Sequence, residues 1–227
     1  MNLLAIDTAT EACSAALDCD GRLLERYELA PRQHTRLILP MIEALLAEAG
    51  LGFTQLDAIA FGRGPGAFVG LRIAASIAQG LAFAGDLPVA PVSTLAALAR
   101  LAWRERGESR VLAALDARMG EIYAGAYCIA DDGAPVSLCE ERVLPPAALA
   151  VAGAWFGVGS GWDTYAESLA ATLDCRGWLP AAMPRAADIA VLGRQAILRG
   201  EGVAAELAQP VYLRDEVAKK LAEQRRG

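Results

Sequence analysis

Histidine is almost missing: His34 is the only one in 227 residues. One imidazole cannot make the His-Glu-x-x-His pair of a zinc peptidase, and no Cys/His pairing replaces it. The five cysteines (Cys13, Cys19, Cys128, Cys139, Cys175) are odd in number and form no Cys-x-x-Cys pair. Neither a disulfide framework nor a zinc site is expected from them; idle or buried thiols in a reducing cytosol are. Positive charge is also short. The net charge of −6 excludes a broad basic surface that grips nucleic acid unaided. A protein acting on RNA with this balance needs a partner to supply the basic groove. The opening "MNLLAIDTAT" lacks a basic n-region and meets an acid at Asp7, so no signal peptide is expected. No apolar run reaches the roughly 18 residues that suggest a membrane span. Together these shortages predict a cytoplasmic protein with no membrane partner.

What is plentiful is apolar surface. Hydrophobic residues make up 55% of the chain and charged residues 21%, enough for a sizeable core. "LLAID", "CSAALDC" and "RLLERYEL" read as strands, with "DCDG" as the turn between the last two. "QHTRLILPMIEALLAEAG" has helical spacing through Leu37, Met41 and Leu45 and stops at Gly50; Pro40 predicts a kink or a late start. "LDAIAF" is a buried-type strand, "FVGLRIAASIAQGLAFAG" a helix, "LPVAPVS" a strand, and "TLAALARLAWRERG" a helix capped by Ser93 or Thr94.

The pattern then restarts. "VLAALDARMGEIYAGAYCIADDG" parallels "NLLAIDTATEACSAALDCDG", matching Asp116 to Asp7 and Ile122 to Cys13. Helices are predicted over 145–152, 164–173 and 187–199, a strand at "WFGVGSG", and a closing amphipathic helix at "DEVAKKLAEQRR". The expected organisation is α/β, with mixed sheets flanked by helices. It divides into a first unit over 1–106, a smaller second unit over 107–210, and a C-terminal helix over 211–227.

Two stretches carry candidate chemistry. An acid ending the first strand, followed by a hydroxyl-rich hairpin, is how actin-like phosphotransferases begin. Asp7, Thr8 and Thr10 fit, although Ala9 stands where a glycine is usual. The other reading is that Asp7 caps the turn and the threonines satisfy it. The second stretch is "GRGPGAFVGLRIA". It lacks the Lys-Ser/Thr of a Walker loop, since Leu71 and Arg72 follow Gly70. It lacks the ribose-binding acid of a dinucleotide fold, and Pro65 removes an N–H donor. Gly64 and Gly66 stay candidates for a nucleotide with Asp7, Thr8 and Thr10, which gives ATP or ADP as the alternative cofactor. The helix that follows is apolar almost all round, and Arg72 is the only charge between Phe68 and Ala84. Its small residues suit close helix approach. Either it is wholly internal or its second face docks a partner.

"LLAIDTAT", "QHTRLILPMIEALL", "DAIAFGRGPGAFVGLRIAASIAQGLAF" and "PVYLRD" together resemble the TsaB (YeaZ) family, strongly over the first hundred residues and loosely beyond. The resemblance implies an actin-like (ASKHA) fold of two related subdomains, with the last helix returning to the first. It also implies a part in making threonylcarbamoyladenosine beside the tRNA anticodon. The family's catalytic paralogue, TsaD, holds a metal with His-x-x-x-His after the apolar helix. Those positions fall on Thr94 and Leu98 here, and neither can replace imidazole. His34, alone, is expected to cap or pack. "GVGSGWD" at 157–163 is a faint echo of an adenosine pocket.

The resemblance therefore implies a non-catalytic partner that holds no metal and no cofactor of its own. It would pair with a TsaD-like catalytic subunit, be joined by a TsaE-like ATPase, meet tRNA only through that complex, and form a homodimer when alone. The interface expected is Leu37, Met41, Phe68, Leu71, Arg72, Ala75 and Ile77. Arg63 and Arg72, flanking the glycine turn, are expected in surface salt bridges, with contact to the partner or to an acidic group of RNA as the other reading. The reading from the residues alone keeps an actin-like phosphotransferase or ATPase acting through Asp7, with Asp116 in support, as the alternative.

Overall fold

The computed structural model describes residues 1–214. The chain opens with three antiparallel strands, β1 (Asn2–Asp7), β2 (Ala12–Cys19) and β3 (Arg22–Leu29). Helix α1 (His34–Ala49) leads to β4 (Ala58–Gly64), and helix α2 (Phe68–Gly85) to β5 (Val89–Ser93). Both β4 and β5 add in parallel, giving the order β3-β2-β1-β4-β5. Helix α3 (Thr94–Arg106) then crosses to β6 (Arg110–Arg118) and β7 (Glu121–Ile129), with the short β8 (Pro135–Ser137) and β9 (Arg142–Leu144) beside β7. The run ends with β10 (Ala154–Val158), α4 (Ser160–Ala170), β11 (Asp174–Leu179) and α5 (Ala186–Leu198).

The second sheet reads β8-β7-β6-β10-β11, the same arrangement as the first. β6 and β7 are antiparallel; β10 and β11 join in parallel. The repeat seen as sequence pattern is thus a repeat of topology, and Asp7 and Asp116 sit at or near the ends of equivalent first strands. Two mixed sheets flanked by helices make this the actin-like architecture.

Alternation explains why β1 and β4 are apolar throughout. Leu4, Ile6, Ile59 and Phe61 face α1 and α2, while Leu3, Ala5, Ala58 and Ala60 face α5. A strand covered on both faces needs apolar residues at every position. Alanines on the α5 side bring that helix close, and a Cβ at Gly193 would overlap Ala60. The first free N–H groups of α5 are taken by the first sheet: Ala186 donates to Ser14 Oγ and Ala187 to Glu25 Oε1, each at 3.0 Å. Arg185 pairs with Glu25 at 2.6 Å, Arg194 with Asp18 at 3.0 Å, and Arg104 of α3 with Asp188 at 3.1 Å.

Several expectations change. Residues 186–208, expected in the second unit, pack on the first sheet and its core, because the small-residue face there has no other cover. The helix expected over 145–152 is a single 3-10 turn, Pro146–Ala148. Helix α4 starts at Ser160, earlier than expected, and carries a non-helical residue at Tyr165. Helix α1 begins six residues before Pro40, which stands on its exposed side, so no late start occurs. Helix α2 is long and apolar enough to cross a membrane by length and composition, contrary to the reading of the sequence. Leu71, Ala74, Ala75, Ala78 and Ala82 nevertheless bury one face of it in the protein core. Residues 211–214 are irregular, and the remainder of the expected C-terminal helix lies outside the described residues.

Candidate functional site

The glycine turn is shaped by backbone contact. The Ala67 N–H, at the head of α2, donates to the Ala9 carbonyl at 2.7 Å. The Thr8 hydroxyl donates to the Gly70 carbonyl at 2.7 Å. A Cβ at Gly66 would overlap the Ala9 oxygen, and one at Gly70 the Thr8 oxygen. On the turn's other side the Val211 N–H donates to the Arg63 carbonyl at 2.7 Å. Gly64 has φ +109°, and a Cβ there would stand 2.8 Å from the Val211 oxygen. The Gly64–Pro65 bond is cis. The glycines let the β1–β2 turn and the 211 segment close on the loop from two sides.

Asp7, Thr8, Thr10, Gly64 and Gly66 are brought together, and the hydroxyls of Thr8 and Thr10 are engaged by the backbone of Gly70 and Ala12. The Thr10 hydroxyl accepts from the Ala12 N–H at 3.3 Å, and the Thr10 carbonyl lies 2.9 Å from His34 Nε2. Asp7 is fully buried. At the N-terminus of α2 the Ala67 N–H is taken by the Ala9 carbonyl. His34 is buried and packs in this turn, the use expected of a lone imidazole.

Asp7 itself is unusual. Its Oδ1 accepts from the Ala9 N–H at 3.2 Å, and its Oδ2 has no hydrogen-bond partner among the described residues. Burial pushes the carboxyl up to about 7, against a smaller lowering by the Ala9 N–H. The Thr94 hydroxyl is equally unpartnered. Both groups border Gly62, where a Cβ would overlap Asp7 Oδ2 and stand 3.7 Å from Thr94 Oγ1. Thr94 and Leu98 are fully buried on α3, and Leu98 joins the second sheet's core. Among the described residues no group of three His, Cys, Asp or Glu side chains is placed to hold a metal ion. Asp116 is engaged elsewhere, with Arg118 at 2.9 Å.

Of the "GVGSGWD" glycines, Gly157 makes room for an aromatic ring, while Gly159 and Gly161 let the chain close on the Ala114 backbone. A Cβ at Gly157 would overlap the Trp162 indole, which is fully buried and donates from Nε1 to the Leu112 carbonyl at 2.8 Å. Above, between the sheets, Glu141 accepts from Ser93, the cap of α3, and from the Tyr127 hydroxyl at 2.5 Å. Burial and this carboxylate hold the Tyr127 phenol well above its usual range.

The open apolar surface lies on α1 and α2. Phe68, Val69 and Phe83 are 54, 68 and 84% exposed, and Leu39 of α1 is 48% exposed. Thr35, Phe68, Val69, Arg72, Ile73, Ser76 and Ile77 line a shallow groove of about 460 Å³ between the helices. Of the seven residues expected there, Phe68 and Arg72 are exposed, and Leu37 and Ile77 are half-buried. Leu71, Ala75 and Met41 are buried, because the 100° step of the helix turns Leu71 and Ala75 of α2 toward β4 and Met41 of α1 toward β2. Val69, Ile73 and Phe83 take their place. They lie within about 140° of Phe68 on one side of the helix, whereas Leu71 lies about 60° away on the other, and an all-apolar sequence does not mark which side is open. Tyr212, whose ring lies 5.4 Å from that of Phe68, had no local signal in the sequence. Nor is either arginine in an ion pair among the described residues. Arg72 lies over the Phe68 ring at 3.7 Å and donates to the Tyr212 hydroxyl at 3.1 Å, while Arg63 supplies its carbonyl to Val211.

A family model described as "TsaD: tRNA N6-adenosine threonylcarbamoyltransferase" matches residues 27–221. The chain is 45% identical to the tRNA threonylcarbamoyladenosine biosynthesis protein TsaB of Escherichia coli (strain K12), over 97% of each chain. It is 41% identical to the protein of the same name from Haemophilus influenzae, over 97% of this chain and 96% of that one. Among solved structures, YeaZ from Pseudomonas aeruginosa superposes with a TM-score of 0.89 at 50% identity, covering 93% of this chain and 99% of that one.

Proposed function

The chain belongs to the TsaB (YeaZ) family, and on that premise we propose that it serves tRNA threonylcarbamoyladenosine biosynthesis as a non-catalytic partner. In this reading it docks the catalytic TsaD-like subunit through α1 and α2, and a TsaE-like ATPase joins the pair. The work is cytoplasmic, and tRNA is met only through the complex. The catalytic subunit transfers the threonylcarbamoyl group, and this chain contributes shape and contact.

One observation carries the reading. Phe68, Val69, Phe83 and Leu39 expose large apolar side chains on two neighbouring helices whose opposite faces are core. Such a patch on a soluble chain marks an interface. A partner sharing the fold can present the same two helices, so four helices would pack together. A standard interface of about 800 Å² per side is within reach of two helices of this length. The same face would pair two copies when the partner is absent. The burial of Leu98 and the enclosed Asp7 speak against metal or phosphate chemistry in this chain.

The test is size-exclusion chromatography of the chain with and without its catalytic paralogue. A stable complex, lost in Phe83→Asp, supports the proposal. An unchanged elution for every mixture overturns it.

A further inference from the structure

Arg72 is the one charge on the exposed side of α2, and the structure fixes where it points. Its guanidinium carbon lies 3.7 Å over the Phe68 ring and 5.9 Å from the Tyr212 ring centre, with Nε donating to the Tyr212 hydroxyl at 3.1 Å. Two aromatic faces and one hydrogen bond reduce the rotamer freedom that an exposed arginine normally keeps. The side chain lines the apolar groove between α1 and α2 beside Thr35, Val69 and Ile73. Packing anything apolar into that groove removes water from the guanidinium, and an unpaired cation there is costly.

Resting on the reading above, we propose that Arg72 is a specificity-determining contact of the docking face, pairing with a carboxylate carried by a helix of the catalytic partner. With Nε–H given to Tyr212, the oriented guanidinium keeps one edge, its two terminal NH2 groups, for a planar, bidentate anion, and a carboxylate on an apolar helix is the group that fits. A second copy of this chain is a poorer match. Helix α2 carries no acid between Phe68 and Gly85, so an α2-to-α2 contact offers Arg72 no counter-charge. The exposed acid on α1 that a second copy could bring is Glu43, since Glu48 is already bound to Arg26. Charge complementarity at a dehydrated site of this kind changes affinity and partner choice, unlike an exposed rim pair.

The experiment measures the dissociation constant for the catalytic paralogue with wild type, Arg72→Met and Glu43→Gln, at low and high salt, using the full chain. Methionine keeps the contact with Phe68 and removes the charge. Arg72→Met is expected to weaken the complex at least tenfold, and the salt dependence seen with wild type should flatten. Glu43→Gln should bind like wild type. Arg72→Met binding within twofold of wild type at both salt levels overturns the proposal, as does an Arg72→Met that loses only self-association. Failure of wild type to bind the paralogue at all overturns the pairing itself and is thereby distinguished.

Discussion

The Ala67 N–H and the Ala9 carbonyl meet at 2.7 Å, and this bond joins the head of α2 to the turn after β1. Glycine is required on both sides of it. Gly70→Ala would drive a methyl into the Thr8 carbonyl, and overpacking against backbone costs about 1–3 kcal/mol or more. Gly80 sits in the same helix with open space around its Cβ position. Gly80→Ala should therefore raise stability by roughly 0.5–1 kcal/mol. Urea denaturation of the two variants checks the opposite signs.

Asp7 predicts a pH dependence. Its folded carboxyl is raised from 3.8 to about 7, so the folded state holds the proton more tightly than the unfolded one. The stability it gives is complete below the unfolded value and is lost as pH rises through the folded value. The loss should occur between about pH 4 and pH 7 and amount to at most about 4 kcal/mol. Thermal unfolding of Asp7→Asn should show a weaker decline over that window than wild type.

Position on α2 separates core from surface. Leu71→Glu places a carboxylate in the core and should unfold the chain, at a cost of several kcal/mol. Phe83→Asp alters a residue that is 84% exposed and should leave the melting temperature within a few degrees of wild type. Circular dichroism melts of both variants decide.

Asp188 is 1% exposed and takes both Arg104 hydrogen bonds, at 3.2 and 3.1 Å, with Arg100 Nε 3.5 Å away. Asp188→Ala leaves the Arg100 guanidinium enclosed without its anion. A loss of about 3–5 kcal/mol is expected, and hydrogen exchange should show α5 opening first.

Much of this was legible because period and position coincide. The alternation at Leu3–Ile6 and Ala58–Phe61 marks central strands, and the echo of Asp7 in Asp116 announced two like sheets. The glycine turn could be narrowed only by elimination, since "GRGPG" does not show that Ala9 and Val211 press on it. Helical phase was the weak point. Leu71 and Phe68 are both apolar and three residues apart, yet one is core and the other surface, because a helix apolar all round gives no moment to orient it. Tyr212 and Glu141 come from far along the chain, and only the tertiary fold brings them to Arg72 and Ser93. The short helix read at 145–152 rested on a run of alanines with no tertiary partner visible in the sequence, and only one 3-10 turn forms there.

The most direct measurement is sedimentation velocity of the chain mixed with its purified catalytic paralogue, beside the Phe83→Asp variant. A single heavier species for wild type, and two separate components for the folded variant, is the predicted result. Separate sedimentation of wild type and paralogue, at concentrations well above a micromolar dissociation constant, would contradict the claim that α1 and α2 exist to dock that partner.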